Sequence, residues 1–298
     1  MKVLFIGGTG FVGRHMVQHA IDAGHQITLF NRNQTDASVF SEVERLVGDR
    51  TKSLDLLQGR SWDAVVDING YLPDVVSASL SQLQNSVGRY VFISTGSVYA
   101  INNQIRLDEH APLLSTANLN PADYAGVAYG GLKILCEQNV EKVFGNRSTV
   151  LRLGVVAGAY DPTDRATYWV DRIGQGGNVA IPAKKQGRLQ FVDVNDVASF
   201  ALVAIENEIG GIYNVCGEAI RWDNWIDACC QATESQAHCH WLDDYEWVAE
   251  QRPETRRPFG AFPLVQLRDK PILFDSEKAK AQGLVYRSPK ETAAAIWA

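Results

Sequence analysis

The sequence predicts an α/β fold: a doubly wound parallel sheet with a smaller C-terminal α+β part. Three observations predict it. Short apolar runs alternate with helical stretches over about the first 160 residues, a glycine turn joins the first run to the first helix, and the rhythm stops near Asn214.

The runs at Lys2–Ile6, Gln26–Phe30, Ala64–Ile68, Tyr90–Ser94 and Thr149–Leu153 are rich in Val, Ile, Leu or Phe. They lack strict alternation, as strands buried on both faces do. Val12–Ala23, Val75–Val87 and Tyr129–Phe144 read as the helices between them. Past Gly158 the texture changes. Asp161-Pro-Thr-Asp and Gly174-Gln-Gly-Gly bracket a short aromatic helix around Tyr168-Trp169, then Leu189–Val194 reads as a strand and Asn195–Ile205 as a helix. Five of the seven tryptophans (Trp222, Trp225, Trp241, Trp247, Trp297) and the proline-containing stretch Arg252–Pro263 lie beyond Asn214.

Composition bounds the function. With 298 residues, 46% hydrophobic and 21% charged, the chain can bury a substantial core. A net charge of −6 disfavours nucleic acid or an anionic membrane as the main partner. No run approaches the ~18 apolar residues of a spanning helix. The N-terminal run stops at Gly7-Gly8, too short for a secretion signal. Cys136, Cys216, Cys229, Cys230 and Cys239 are odd in number and scattered, which fits reduced thiols in a cytoplasmic enzyme.

Gly7, Gly10 and Gly13 form G-x-x-G-x-x-G between the first strand and first helix, with Phe11 and Val12 opening that helix. Glycines there permit a tight turn and close approach of backbone to a pyrophosphate, and the helix N-terminus offers N–H donors to it. A Rossmann dinucleotide site follows. An acidic residue at the end of the second strand would bind a ribose 2′-hydroxyl. This chain has Asn31-Arg32, which removes that repulsion and offers a guanidinium to a 2′-phosphate. The expected cofactor is NADP, with NAD as the alternative.

Tyr129 and Lys133 are spaced i, i+4 and share a helix face. A cation beside a phenol lowers its pKa, so Tyr129 is expected to act as general acid/base, tuned by Lys133. Val91–Tyr99 ends in Ser94-Thr95-Gly-Ser97, a hydroxyl cluster at a strand C-terminus, where open α/β sheets place ligands. Thr95 is the expected anchor for a substrate oxygen; Ser94 and Ser97 are its competitors. Cys229-Cys230 with His238-Cys239-His240 matches no zinc spacing, and no metal is expected.

The glycine loop, the Ser-Thr-x-Ser-Val-Tyr strand end and Tyr129/Lys133 resemble the extended short-chain dehydrogenase/reductase superfamily, in its NAD-dependent epimerase/dehydratase branch. Phe191-Val-Asp-Val-Asn-Asp196 and Phe274-Asp-Ser-Glu-Lys-Ala279 are similar to that family's second-half motifs. The resemblance implies that Asp49 meets the adenine, that Ile68, Asn69 and Gly70 line the cofactor, and that Thr95, Tyr129 and Lys133 form the catalytic set. It also implies a homodimer through the Tyr129 helix. Two departures bear on the substrate. Valine stands in Leu153-Gly-Val-Val-Ala-Gly158 where nucleotide-sugar enzymes carry an Asn, and Leu189 replaces an Arg, with Arg188 one step away. Both changes remove diphosphate ligands.

The expected division is therefore 1–157 with 186–214 as the NAD(P)-binding domain. Residues 158–185 with 215–298 form the substrate-binding part, where Arg165 and Tyr168 are candidates for an anionic or hydroxylated small molecule. The chain also looks somewhat like chloroplast stem-loop RNA-binding relatives of the superfamily, an alternative use that the intact Tyr129/Lys133 pair opposes.

Overall fold

In the computed structural model of the chain, which describes residues 1–35, 38–101, 106–242, 264 and 272–298, seven strands form one parallel sheet. They are β1 (Lys2–Ile6), β2 (Gln26–Asn31), β3 (Glu44–Val47), β4 (Trp62–Asp67), β5 (Val87–Thr95), β6 (Ser148–Leu153) and β7 (Gly211–Val215). Their order is β7-β6-β5-β4-β1-β2-β3, and each pairing is parallel. Strand order reverses at β1. The glycine loop follows that strand, and β4, its other neighbour, carries the Ile68-Asn69-Gly70 turn. Open sheets hold ligands in the crevice at such a reversal.

Helices α1 (Phe11–Asp22), α2 (Pro73–Leu83) and α3 (Tyr129–Phe144) wrap the sheet. Val76, Leu80 and Leu83 of α2 and Cys136, Val140 and Phe144 of α3 join Leu4, Val65 and Phe92 of the strands in one apolar cluster. Burying such side chains is worth about 1.5–3 kcal/mol each, which presses α3 onto the sheet.

Two strands escape the sequence reading. In β3 only Leu46 is buried, because an edge strand needs little apolar surface. In β7 the fully buried Asn214 interrupts the apolar run. The expected strand Leu189–Val194 forms as two short strands rather than one. Arg188–Gln190 pairs antiparallel with Ala219–Arg221, Val192–Asp193 pairs with Val156–Ala157, and a helix already begins at Val194.

The chain divides into two compact units. The first holds Met1–Gly154, Asn195–Val215 and Phe274–Val285; the second holds the described residues of Val155–Val194, Cys216–Leu273 and Tyr286–Ala298. Three stretches longer than one residue differ from expectation, the first being residues 155–157, which fall in the second unit. Residues 186–194 belong to the second unit, because Leu189 and Phe191 pack into its core. Residues 274–285 belong to the first, where Asp275 N donates to Leu107 O (2.8 Å) and Lys278 Nζ to Ile212 O (2.7 Å). The second unit is built around Trp169, Trp222 and Trp225, with the rings of Trp169 and Trp222 edge to face at 5.2 Å. Trp247 and Arg252–Pro263, singled out in the sequence, lie outside the described residues.

Candidate active site

The glycine loop leaves β1 with Gly7 at φ +107°, a conformation side-chain-bearing residues avoid, and Gly7 N donates to Phe30 O (2.9 Å). A Cβ at Gly7 would sit 2.7 Å from Asn69 Nδ2, so Gly7 also lets the β4 turn close against the loop. Gly10 is the opposite case. A Cβ there would meet nothing within 4 Å, and the α1 N-terminus that it caps has no side-chain cap and no acidic residue in its first turn. The side of the loop that Gly10 presents is therefore open at an uncapped helix N-terminus, which is what a pyrophosphate requires. This cradle fits a dinucleotide.

At the end of β2, Asn31 is engaged in the glycine loop: its Nδ2 donates to Gly7 O (3.0 Å), and Asn33 N donates to its Oδ1 (2.9 Å). Arg32 is exposed. Hydrogen bonds from the Thr51 amide and hydroxyl hold the Asp49 carboxyl below its ordinary pKa, and the charge of Arg32 adds to them. Asp49 and Arg32 therefore share one neighbourhood.

β5 delivers the hydroxyl cluster. Ser94 is buried and donates to Glu137, whereas Thr95 is half-exposed and accepts from Ser97 N (3.1 Å). Tyr129 starts α3, and Gly130 explains how the two elements come so close: a Cβ on Gly130 would overlap the Ser97 carbonyl oxygen. Thr95 and Tyr129 are thereby brought near one another, with the Thr95 hydroxyl donating to Ser97 Oγ (3.2 Å). Burial pushes the Tyr129 phenol above its ordinary pKa; the Thr95 hydroxyl opposes that, and neighbouring Tyr71 adds to it.

This corrects an expectation. Lys133 is on the predicted face, but its ammonium donates to Gly70 O (2.8 Å) and Ile93 O (2.6 Å), and burial brings its pKa to about 8. The phenol is tuned by burial and by Thr95, and it is protonated at neutrality.

Sequence reasoning missed Tyr71. It follows the Ile68-Asn69-Gly70 turn, and its ring lies 6.3 Å from that of Tyr129 and 6.0 Å from that of Tyr124. The support beneath the site was missed as well. Glu137 accepts from Arg152 Nη2 at 2.7 Å, and Arg152 Nη1 donates to the Tyr99 hydroxyl (3.0 Å), which donates to Asn214 Oδ1 (2.6 Å). A usable signal was present, because Tyr129, Lys133 and Glu137 repeat at i, i+4, i+8.

In the second unit Trp169 is fully buried, while Tyr168 and Arg165 are partly so, and Arg165 Nε donates to Thr163 Oγ1 (2.8 Å). Leu189 is a core residue, and strand alternation turns the neighbouring Arg188 to the other face, so Arg188 cannot stand in for an Arg at that position. Alternation also separates His238 and His240 from Cys239. Among the described residues no group of three or more His, Cys, Asp or Glu could hold a metal.

The model of the NAD dependent epimerase/dehydratase family matches residues 3–81 and 74–216. The chain belongs to this family. It is 26% identical to the chloroplast stem-loop binding protein of 41 kDa b from Arabidopsis thaliana over 253 residues, 78% of this chain and 63% of that protein. It is 27% identical to the UDP-glucose 4-epimerase of Azospirillum brasilense over 189 residues, 55% of this chain and 51% of that protein. The chain thus spans between about half and just under two thirds of these relatives. Among solved structures, UDP-glucuronic acid 4-epimerase from Bacillus cereus in complex with NAD matches with TM-score 0.68 at 18% identity, covering 99% of this chain and 97% of that one. This likeness shows a fold shared with that epimerase. No helix among the described residues is long and apolar enough to cross a membrane.

Proposed function

We propose that this protein is an oxidoreductase that moves hydride between a nicotinamide dinucleotide and the carbon of a carbonyl or alcohol, with Tyr129 exchanging the proton at oxygen. The observation that carries this reading is the Thr95–Tyr129 hydroxyl pair at the C-terminal edge of β5. Thr95 orients the substrate oxygen. Tyr129, held protonated by burial, is competent to give its proton to that oxygen when a carbonyl is reduced. Lys133 braces the β4 turn beneath the site. Bound dinucleotide would supply or take up the hydride. Gly7, Gly10, Phe11, Val12, Gly13, Ile68, Asn69 and Gly70 would hold its phosphates and nicotinamide side; Asn31, Arg32 and Asp49 would hold its adenosine.

NADP is the proposed cofactor: the exposed Arg32, which follows Asn31 where an acidic residue would select NAD, supports a contact with a 2′-phosphate. Arg165 and Tyr168 are the proposed substrate contacts of the second unit. A nucleotide sugar is disfavoured by Leu189, which is committed to a core. The protein is proposed to work as a cytoplasmic homodimer, which light scattering tests directly.

The test is Tyr129→Phe. It should bind NADPH within about threefold of the native protein and lose about 10²–10⁴ in turnover. Retained turnover refutes the assignment. Stoichiometric NADPH consumption marks a reductase, whereas conversion of substrate without it marks an epimerase or dehydratase that keeps its dinucleotide. Native NADPH preference should vanish in Arg32→Ala; equal native affinities for NADPH and NADH refute the role of Arg32. The stem-loop binding relative raises a second, RNA-associated reading. Salt-sensitive RNA binding unaffected by Tyr129→Phe, in a protein without turnover, would favour it.

A further inference from the structure

The turn after β3 carries two charged residues facing opposite ways. Asp49 stays at the surface, bonded to Thr51 N (2.9 Å) and Thr51 Oγ1 (2.7 Å). Arg50 turns inward. Its Nη1 donates to Asp67 Oδ1 at 2.7 Å and its Nη2 to Asp67 Oδ2 at 2.9 Å, a bidentate pair. Nη2 also reaches Ser79 Oγ (3.0 Å), and the Tyr90 hydroxyl donates to Asp67 Oδ2 (2.7 Å). The Asp67 side chain is wholly buried and that of Arg50 is 11% exposed.

A buried ion pair is a poor source of net stability, because desolvating both ions offsets their attraction. What this one does is join two places. Arg50 directly follows Asp49, the residue assigned above to the adenosine end. Asp67 is the last residue of β4 and directly precedes Ile68-Asn69-Gly70, the turn assigned to the nicotinamide side. The string continues: Gly70 O accepts from Lys133, one turn along α3 from Tyr129. A planar bidentate contact sets both distance and angle, which a single ammonium contact would not.

We propose that Arg50 is a positioning residue for the dinucleotide, its pair with Asp67 holding the adenosine-binding turn at the spacing from the β4 turn that the bound cofactor spans. This rests on the dinucleotide reading above. Arg50 touches no cofactor atom in this proposal; it acts through Asp49 and through the β4 turn.

The experiment measures NADPH, NADH and adenosine 2′,5′-bisphosphate affinity, together with the melting temperature, for the native protein, Arg50→Lys and the double variant Arg50→Met/Asp67→Leu. The double variant replaces both ions by apolar groups and so leaves no buried charge unpaired. It should remain folded and melt somewhat below the native protein, because the buried Tyr90 hydroxyl loses its acceptor, yet bind NADPH and adenosine 2′,5′-bisphosphate about tenfold or more weakly. Arg50→Lys, which keeps the charge and loses the fork, should show the same direction while remaining folded. Native-like affinity in either folded variant overturns the proposal and leaves the dinucleotide reading standing. Failure of the native protein to bind either dinucleotide overturns both.

Discussion

Lys133 lies one helical turn beyond Tyr129 on the same face of α3, and its ammonium donates to the backbone carbonyls of Gly70 (2.8 Å) and Ile93 (2.6 Å). It also sits 4.0 Å from the centre of the Phe92 ring. The cation ties the β4 turn and β5 to the helix that carries the phenol. Its role in this structure is to hold the walls of the site together.

Burial lowers the Lys133 pKa from 10.5 to about 8, which makes its charge a pH-dependent cost. Between those values the unfolded chain binds the proton and the folded one does not. Stability from this group therefore rises with pH across that window and is lost as pH falls through about 8. The slope is at most about 1.4 kcal/mol per pH unit. Cys136 and Tyr90, both pushed upward by burial, act with the opposite sign above pH 9 and pH 10 respectively, so the comparison belongs below pH 9. Urea midpoints from pH 8 to about 9 should climb more steeply for the native protein than for Lys133→Met. Parallel curves would contradict this account.

Gly7 and Gly10 separate folding from binding. Gly7→Ala forces φ +107° on a residue with a Cβ and sets that Cβ against Asn69, at a cost of roughly 1–3 kcal/mol. Gly10→Ala meets nothing within 4 Å and keeps an ordinary φ of −91°, so its stability should fall by no more than about 1 kcal/mol. Its NADPH affinity should nevertheless drop about tenfold or more, because the methyl group occupies the space left for phosphate. Denaturant midpoints and dinucleotide titrations check the two effects separately. A Gly10→Ala protein that binds as the native one does would place the phosphates elsewhere.

These residues also show what a sequence can and cannot reveal. The inner strands and the start of α3 are legible because burial on both faces leaves unbroken apolar runs, and because Tyr129 and Lys133 lie at helical spacing. Edge strands such as Glu44–Val47 leave little trace, since only Leu46 is buried. Spacing gives the face of a helix but not the direction of a long side chain, so the bonds of Lys133 to two carbonyls were out of reach. Arg50 and Tyr71 were hidden for a related reason. A charged or aromatic residue in a turn reads as surface, and only the fold shows that Arg50 points inward. Glu137 was readable in retrospect from its position one turn beyond Lys133.

Tyr71 adds to the upward pKa shift of Tyr129, whose larger cause is burial. Burial raises the pKa of Tyr71 as well, and its hydroxyl in turn raises that of Tyr129. Tyr71→Ala opens the site to water and removes that contribution, so the Tyr129 pKa should fall toward the ordinary tyrosine value. The pH–rate profile for carbonyl reduction should lose activity at lower alkaline pH than in the native protein, with turnover reduced about threefold to tenfold. Tyr71→Phe keeps the ring at its 6.3 Å packing distance and should retain most of the turnover. An unchanged profile in Tyr71→Ala would show that the ring only fills space.

The Glu137–Arg152 pair can be tested as a unit. Both side chains are almost completely buried, with 4% and 2% exposure, and Arg152 bonds to both carboxylate oxygens of Glu137. Removing one partner strands the other ion in the core, so Arg152→Leu should cost about 3–5 kcal/mol. Glu137→Leu/Arg152→Leu removes both charges and should recover much of that loss. It also deprives Ser94 of its Glu137 acceptor and Tyr99 of its Arg152 donor. Those two residues bracket Thr95 in sequence, so the double variant should regain its denaturant midpoint more fully than its turnover. A double variant as unstable as Arg152→Leu alone would mean that the pair itself, rather than the avoidance of an orphaned charge, holds α3 to the sheet.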